Sequence, residues 1–288
     1  LERDVQNGLL NWKNKRHHTV LQIEGPWHVG KTHEVKKFVY SHYKQVVYVN
    51  LVRDEYGFED LMPTDHFMQE YCRNAGIGEY VDDESTVLVI DEIQERANVY
   101  NAIRDLREQL GCDIIVSGSY LARTVNSRDF FLPAGIAYLR MYPLSFKEFC
   151  RALNIEDILE TISLKSESKD EDYQKLEEAY RVYRKIGGYP QVVTTFIESG
   201  EIDDCVVVLE DLIRTFTAES SRFFANSTAL SIFQEAYKAV LVQIAEEKKG
   251  TGKTFLEFVT NFVKDTVKEP VSRNGCTHIF YIKIHSLF

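Results

Sequence analysis

Hydrophobic and polar residues form two alternating kinds of segment over the first 150 positions. Short, nearly continuous apolar runs, typical of strands covered on both faces, are separated by stretches in which apolar residues recur every three or four positions. The five apolar runs lie at residues 19–24, 46–51, 86–90, 113–116 and 136–141. This alternation predicts an α/β fold, a doubly wound domain with a parallel five-stranded sheet.

Two of the intervening stretches predict helices with a clear apolar face. The first helix begins at Lys31, and its face comprises Val35, Phe38, Val39 and His42. The second helix is ended by Gly111, and its face comprises Val99, Ile103, Leu106 and Leu110. Residues 52–84 are mixed and polar, and predict loops between short helices.

From about residue 145 onward the pattern is helical. Residues 163–178 are rich in Ser, Lys, Glu and Asp and predict a solvated linker or the start of a charged helix. Gly187-Gly188-Tyr189-Pro190 is a sharp break, and further amphipathic helices are expected over 230–244 and 255–263. The second half of the chain is therefore expected to be helical.

Composition narrows the class of protein. The chain has 44 acidic and 34 basic residues and a formal net charge of −10, which argues against a surface that wraps nucleic acid but leaves room for a local basic patch. Its five cysteines contain no CxxC pair, so reduced thiols in a cytoplasmic protein are expected and zinc is not indicated. No window approaches 18 uninterrupted apolar residues, so no membrane partner is expected.

The strongest chemical signal follows the first apolar run. It fits the pattern GxxxxGK[ST] at every defined position and comprises Gly25, Pro26, Trp27, His28, Val29, Gly30, Lys31 and Thr32. Such a match arises by chance in about 1% of chains of this length. Glycines let the backbone N–H groups curl around phosphate, Lys31 would neutralise the β- and γ-phosphates, and Thr32 would bind Mg²⁺. A tight strand-to-helix turn is the alternative, but strand and helix context favour a nucleotide site.

Acidic and hydroxyl residues follow two later apolar runs. Asp91 directly follows the third run and would hold Mg²⁺ through its coordinating water, while Glu92 is the candidate base that deprotonates an attacking water. An exposed turn or helix cap is the alternative for this pair. Ser117 and Ser119 end the fourth run near the expected γ-phosphate, although ordinary turn chemistry explains them as well.

Weaker patterns add no second site. Gly250-Thr251-Gly252-Lys253-Thr254 imitates the phosphate loop, but Glu247 replaces the leading Gly and a helix precedes it, so a helix–helix turn is expected. The chain has no NKxD guanine clamp, which argues against a GTPase. Trp27 and His28 flank the expected nucleotide without an assigned chemical role.

Five ordered motifs, GPWHVGKT, VLVIDEIQE, VSGSYLART, YPLSFKEFC and GGYP, resemble those of AAA+-related bacterial and archaeal ATP-binding proteins, a group close to the STAND signalling ATPases. The resemblance covers roughly residues 1–225. It implies a P-loop ATPase core of the AAA+ type over 1–150, a helical lid over 151–225 and a helical, winged-helix-like segment over 226–288. Full-length relatives often continue into a nuclease-like domain, which is expected to be absent here.

The resemblance also assigns roles by position. It matches Lys31 and Thr32 to the phosphate loop, and Asp91 and Glu92 to the Mg²⁺-binding and water-activating pair. It matches Ser117 or Ser119 to the sensor that faces the γ-phosphate. Gly188 and Pro190 fit the element that places the lid against adenine, for which a plain helix break is the alternative.

The chain departs from the family pattern in two places, the first relevant to the arginine finger and the second to a DNA partner. Many relatives have an Arg after the Gly before the fifth strand, where this chain has Ile136; Arg123, Arg128 and Arg140 are unproven substitutes. Residues 270–288 begin like the turn into a recognition helix and then become β-like, so a DNA contact there is weakly supported.

The favoured function is Mg²⁺-dependent binding and hydrolysis of ATP, with ADP as product, driving a conformational change of the lid. A nucleotide-gated switch with negligible turnover is the first alternative, linked to DNA or a protein partner through the C-terminal helices. A small-molecule kinase is the third hypothesis, and the adjacent acidic pair argues against it. The sequence leaves open whether the chain forms a homo-oligomer.

Overall fold

The computed structural model describes residues 1–15, 19–119, 135–162 and 169–220, together with Ser231 and Glu235. The chain divides into two compact units, residues 1–120 with 128–212 and residues 121–127 with 213–288. Several sequence predictions lie outside the described residues: the helix at 255–263, most of the helix at 230–244, the segment 250–254, the tail 270–288, Arg123 and Arg128.

Five parallel strands form one sheet, as the apolar runs predict. The strands are β1 Val20–Glu24, β2 Gln45–Asn50, β3 Thr86–Asp91, β4 Asp113–Gly118 and β5 Ile136–Arg140. Their order across the sheet is β2-β3-β4-β1-β5, and every neighbouring pair is parallel. The α/β fold class is therefore confirmed, and the strand ends differ from the predicted ones by one or two residues.

Helices α1 to α11 surround and follow the sheet. Their bounds are Val5–Lys13, Lys31–His42, Phe58–Leu61, Phe67–Asn74, Ala97–Asn101, Ile103–Gln109, Phe146–Ala152, Glu156–Thr161, Asp170–Ile186, Pro190–Ser199 and Ile202–Ser220. A short 3₁₀ turn, Ile93–Glu95, follows β3.

Two details of the predicted helices are wrong. The helix expected to carry Val99 and Leu110 on one face is two helices, α5 and α6, separated at Ala102, although its apolar residues are buried as expected. His42 does not join the buried face of α2, because the helix ends there and the buried position passes to Tyr43. The His42 ring instead stacks on Phe38, with ring centroids 4.5 Å apart.

The sheet separates two apolar layers. Leu88 and Ile90 of β3 face the layer that contains α3 to α6, while Val87 and Val89 face the layer that contains α1 and α2. Both faces of β3 are thus covered, which explains its unbroken apolar sequence. A third apolar cluster joins helices α7, α9, α10 and α11. The four described cysteines, Cys72, Cys112, Cys150 and Cys205, are buried free thiols.

Strand order determines which chain segments meet. All five strands are parallel, so their carboxyl ends lie at one edge of the sheet, and β4 lies between β1 and β3. Ser119, which directly follows β4, therefore lies between the loop after β1 and the acidic pair at the end of β3. Within the described part of the chain, no helix is long and apolar enough to cross a membrane.

Candidate functional site

The loop from Gly25 to Thr32 joins β1 to α2 in a shape that depends on glycine. A Cβ atom at Gly25 would lie 2.1 Å from the carbonyl oxygen of Met141, so no other residue fits. Gly30 precedes α2 with a left-handed φ of 90° and gives the helix no side-chain cap. The backbone N–H groups of Gly30, Lys31 and Thr32 donate no hydrogen bond to any described residue. The loop thus presents unpaired donors at a helix N-terminus, the arrangement that binds anions.

Lys31 lies folded over this loop. Its Nζ donates hydrogen bonds to the carbonyl oxygens of Gly25 at 3.0 Å and Pro26 at 2.8 Å. Burial lowers the pKa of Lys31 to about 8, although the negative charges of Glu92 and Asp91 act to raise this pKa. Lys31 is therefore close enough to both carboxylates to interact with them electrostatically.

Asp91 is the point where four elements converge. Asp91 is buried, with only 2% of its surface exposed. One carboxylate oxygen accepts hydrogen bonds from Thr32 Oγ1 at 2.7 Å and Tyr48 OH at 2.6 Å. The other accepts hydrogen bonds from Ser117 Oγ and, at 3.0 Å, from the Glu92 backbone N–H. The structure thus brings together Thr32 and Asp91, the two predicted Mg²⁺ residues, and fixes the orientation of the carboxylate.

Glu92 takes a left-handed backbone conformation, with φ of 56°, immediately after β3. Its carboxylate accepts a hydrogen bond from Gln94 Nε2. Burial raises the pKa of Glu92; the hydrogen bond from Gln94 and the charge of Lys31 act in the opposite direction, while Asp91 adds to the increase. The predicted base therefore lies beside the predicted Mg²⁺ residue, but its side chain is held by an amide.

Gln94 links Glu92 to the end of β4. Gln94 is only 5% exposed, and its Oε1 accepts a hydrogen bond from the Ser119 backbone N–H at 3.2 Å. A Cβ atom at Gly118 would lie 2.3 Å from that same Oε1, so glycine makes room for the amide. Gln94 was not identified from the sequence, because neither its burial nor its contact with Ser119 can be read from the local pattern.

The two predicted sensor serines have different environments. Ser117 contacts Asp91 directly. The Ser119 hydroxyl is buried and has no hydrogen-bond partner among the described residues, which is uncommon for a buried polar atom. Tyr48, which was also not identified from the sequence, donates a hydrogen bond to the same Asp91 carboxylate.

The start of α10 approaches the phosphate loop. A Cβ atom at Gly188 would lie 2.1 Å from the Leu144 carbonyl oxygen, and the Leu144 N–H donates to the Gly188 carbonyl at 2.6 Å. Pro190 occupies the first turn of α10, and a Cβ atom at Gly30 would lie 3.8 Å from its Cγ. Gly188 is thus required by close backbone packing, and Pro190 lies next to the loop.

Arg3 supports the loop from behind and was not identified from the sequence. Its guanidinium is buried and donates to the carbonyls of Val29 at 3.1 Å and Tyr142 at 2.7 Å and to Glu148 Oε1 at 2.9 Å. Glu148 also accepts the backbone N–H groups of Asp4 and Ser145, both at 2.8 Å. Burial alone would raise the pKa of Glu148, but these hydrogen bonds outweigh it and the pKa is lowered.

Comparisons with known proteins agree with this fold. A family model described as "AAA domain" matches residues 17–150. An uncharacterized protein of Haemophilus influenzae is 26% identical over 151 residues, which cover 52% of this chain and 32% of the relative, or about a third of its length. A Walker-type ATPase of Pyrococcus abyssi is 13% identical, with a TM-score of 0.53 over 99% of this chain and 88% of that one, and so shares the fold. Residues 17–150 are therefore similar to the AAA domain family, on a fold that is shared with a Walker-type ATPase.

Proposed function

We propose that the chain binds ATP with Mg²⁺ at loop 25–32, hydrolyses it, and couples this to movement of the helical lid over residues 151–225. The observation that carries the proposal is the 2.7 Å contact between Thr32 Oγ1 and Asp91 Oδ2. This contact joins the two predicted Mg²⁺ residues at the mouth of a loop with unpaired backbone donors.

Nucleotide binding would reuse groups that already face the loop. The N–H groups of Gly30, Lys31 and Thr32 would donate to phosphate oxygens, with the helix dipole favouring negative charge. Lys31 would exchange the carbonyls of Gly25 and Pro26 for oxygens of the β- and γ-phosphates. Because these carbonyls are neutral and the phosphates are charged, the exchange favours the bound state.

The oxygen donors at the site fit Mg²⁺. Thr32 would bind the ion through its hydroxyl, and Asp91 would bind it through a coordinated water. Three hydroxyl donors, from Thr32, Tyr48 and Ser117, already fix the Asp91 carboxylate. When bound, Mg²⁺ neutralises negative charge on the phosphate oxygens.

Glu92 is the proposed general base for the attacking water. Its pKa is raised by burial, which makes the carboxylate a better proton acceptor than an exposed glutamate. Ser117 or Ser119 would orient the water with a hydroxyl group. Gln94 donates an amide hydrogen bond to the same carboxylate and would hold it in an orientation that reaches the water.

The lid would respond through Gly188 and Pro190. Pro190 lies beside Gly30, and we propose that the adenine ring packs between the loop and this turn. A nucleotide can move the lid only if it contacts the lid differently in two states. The loss of the γ-phosphate would change the contacts of Lys31, which follows Gly30 at the start of α2.

The direct test compares ATP binding and phosphate release in four proteins. Lys31→Ala should lose ATP binding measured by calorimetry, while Glu92→Gln should bind ATP and hydrolyse it far more slowly. Lys37→Ala is the matched control, because Lys37 lies exposed on the same helix. Turnover at the wild-type rate by Glu92→Gln would reject the base assignment, and ATP binding by Lys31→Ala would reject the proposed site.

The alternative, a nucleotide-gated switch with negligible turnover, is favoured by one observation: the Glu92 carboxylate is bonded to Gln94. A switch would retain nucleotide through purification and release phosphate very slowly. Its partner would be a protein or DNA reached through the C-terminal helices, or a second copy of the chain. Size-exclusion chromatography with and without ATP would detect nucleotide-dependent assembly.

A further inference from the structure

Arg3 joins the phosphate loop to the chain that follows β5. The residue is buried, and each side of its guanidinium has a different acceptor. Nη1 donates to the Val29 carbonyl at 3.1 Å, Nη2 to the Tyr142 carbonyl at 2.7 Å and Nε to Glu148 of α7 at 2.9 Å. A planar guanidinium holds its N–H donors in a fixed fork, so these three acceptors are kept at fixed positions relative to one another.

The contact with Val29 determines where the next backbone donor points. The Val29 carbonyl and the Gly30 N–H belong to one peptide unit, which is trans, so the two groups point in opposite directions. Gly30 has no Cβ and a φ of 90°, so its own conformational preference restrains this unit only weakly. Because Arg3 holds the carbonyl from behind, the N–H is directed to the opposite side, among the unpaired donors of loop 25–32.

Glu148 fixes the position of Arg3 in turn. Its carboxylate also accepts the Asp4 and Ser145 backbone N–H groups, both at 2.8 Å. The Ser145 hydroxyl accepts the Glu148 N–H at 3.2 Å and completes a capping box at the start of α7. Among the described residues, the hydrogen bonds of Glu148 reach the phosphate loop only through Arg3.

We propose that Arg3 is a positioning residue for nucleotide binding, which aims the Gly30 N–H at phosphate and is itself held by Glu148 of α7. The inference rests on the proposed function, because it takes the phosphate to be that of a nucleotide. A donor that is already aimed needs no reorganisation when the anion binds. A shift of α7 that moved Glu148 would release the Val29 carbonyl, and this would link phosphate affinity to the helix that leads into the lid.

NMR of the nucleotide-free protein tests the orientation of this peptide unit. Val29-Gly30 is the only Val-Gly pair in the 288-residue sequence, so cell-free labelling with ¹³C-carbonyl valine and ¹⁵N-glycine gives one HNCO signal. In Arg3→Met the Val29 carbonyl carbon should move upfield, because its oxygen loses a hydrogen bond. Arg151→Met is the matched control, since Arg151 joins the same helix to Asp4 at 2.8 Å and otherwise bonds Glu156.

The signal decides the structural half of the proposal. An unmoved carbonyl signal in Arg3→Met, or an equal shift in Arg151→Met, would overturn the role of Arg3. Arg3→Lys repeats the measurement with the positive charge retained, and should give an intermediate shift because one ammonium group lacks the fork. Thermal unfolding sets a temperature at which all variants are folded.

Calorimetry of ATP with Mg²⁺ tests the functional half. Arg3→Met should raise the ATP dissociation constant by about ten-fold, the effect of one misdirected hydrogen bond, while Arg151→Met should stay within about two-fold. Glu148→Gln should also weaken binding, and the double variant should bind no more weakly than Arg3→Met, because Glu148 acts through Arg3.

The double variant separates positioning from general damage to the fold. Additive effects of the two substitutions, or undiminished ATP affinity in Arg3→Met, would overturn the proposal. Failure of the wild-type protein to bind ATP would instead count against the proposed function, and the NMR signal would still show whether Arg3 orients the peptide unit.

Discussion

Replacing Arg3 with methionine should destabilise the protein and weaken nucleotide binding together. Arg3→Met keeps the apolar stem but removes three hydrogen bonds, to Val29, Tyr142 and Glu148. The Arg3 and Glu148 side chains are only 4% and 7% exposed, so solvent cannot replace the lost partner. Breaking a buried ion pair by removing one member costs about 3–5 kcal/mol.

Glu148 keeps two donors in this variant, so the lower end of that range applies. The Asp4 and Ser145 N–H groups still reach its carboxylate. A loss of about 3 kcal/mol corresponds to a fall of about 6–12 °C in the unfolding midpoint for a domain of this size. The calorimetric affinity for ATP should fall as well, because the Val29 carbonyl lies within the phosphate loop.

The effect should also depend on pH. Glu148 has a lowered pKa in the folded protein, so its contribution is complete above its ordinary pKa of 4.5 and is lost as the pH falls through the lower folded value. The difference in unfolding free energy between wild type and Arg3→Met should therefore shrink below pH 4.5. Arg104→Met, at an exposed pair, serves as the control and should change stability by less than about 0.5 kcal/mol. A midpoint for Arg3→Met equal to wild type would refute the argument.

Three further substitutions test other contacts. Gly118→Ala should push the Gln94 amide aside, because the new Cβ would lie 2.3 Å from its oxygen. Since this amide orients Glu92, phosphate release should fall by about ten-fold or more, while the ATP dissociation constant stays within about two-fold. Tyr48→Phe should raise the Mg²⁺ concentration for half-maximal turnover by about three- to ten-fold, since Asp91 loses a hydroxyl donor; an unchanged Mg²⁺ titration would contradict this. Gly188→Ala should lower the unfolding midpoint and speed proteolysis of the lid, because its Cβ would lie 2.1 Å from a backbone carbonyl.

The sheet and the phosphate loop could be predicted because their signals are local. A parallel strand covered on both faces is a continuous apolar run, and β3 shows one over residues 86–90. The loop from Gly25 to Thr32 is a contiguous pattern whose spacing reflects one turn and one helix start. Asp91 could be predicted as a site residue because it stands where an apolar run ends. In each case, neighbouring residues carry the whole signal.

The supporting residues could not be predicted because their partners are distant in sequence. Tyr48 lies 43 residues from Asp91, and Arg3 lies 145 residues from Glu148. Ser145 and Glu148 show the spacing of a capping box, so that part of the contact was readable. The strand order of the sheet brings the other partners together, and a single sequence does not contain it.

The position of β4 in the sheet also connects Glu92, the proposed base, to the end of that strand. Because β4 lies between β1 and β3, the backbone that leaves this strand at Ser119 is hydrogen-bonded to the amide that holds Glu92. Gln94 thus forms a two-step hydrogen-bond link between the end of the middle strand and the Glu92 carboxylate, so a change in the backbone position of Ser119 would act on Glu92 through a single side chain.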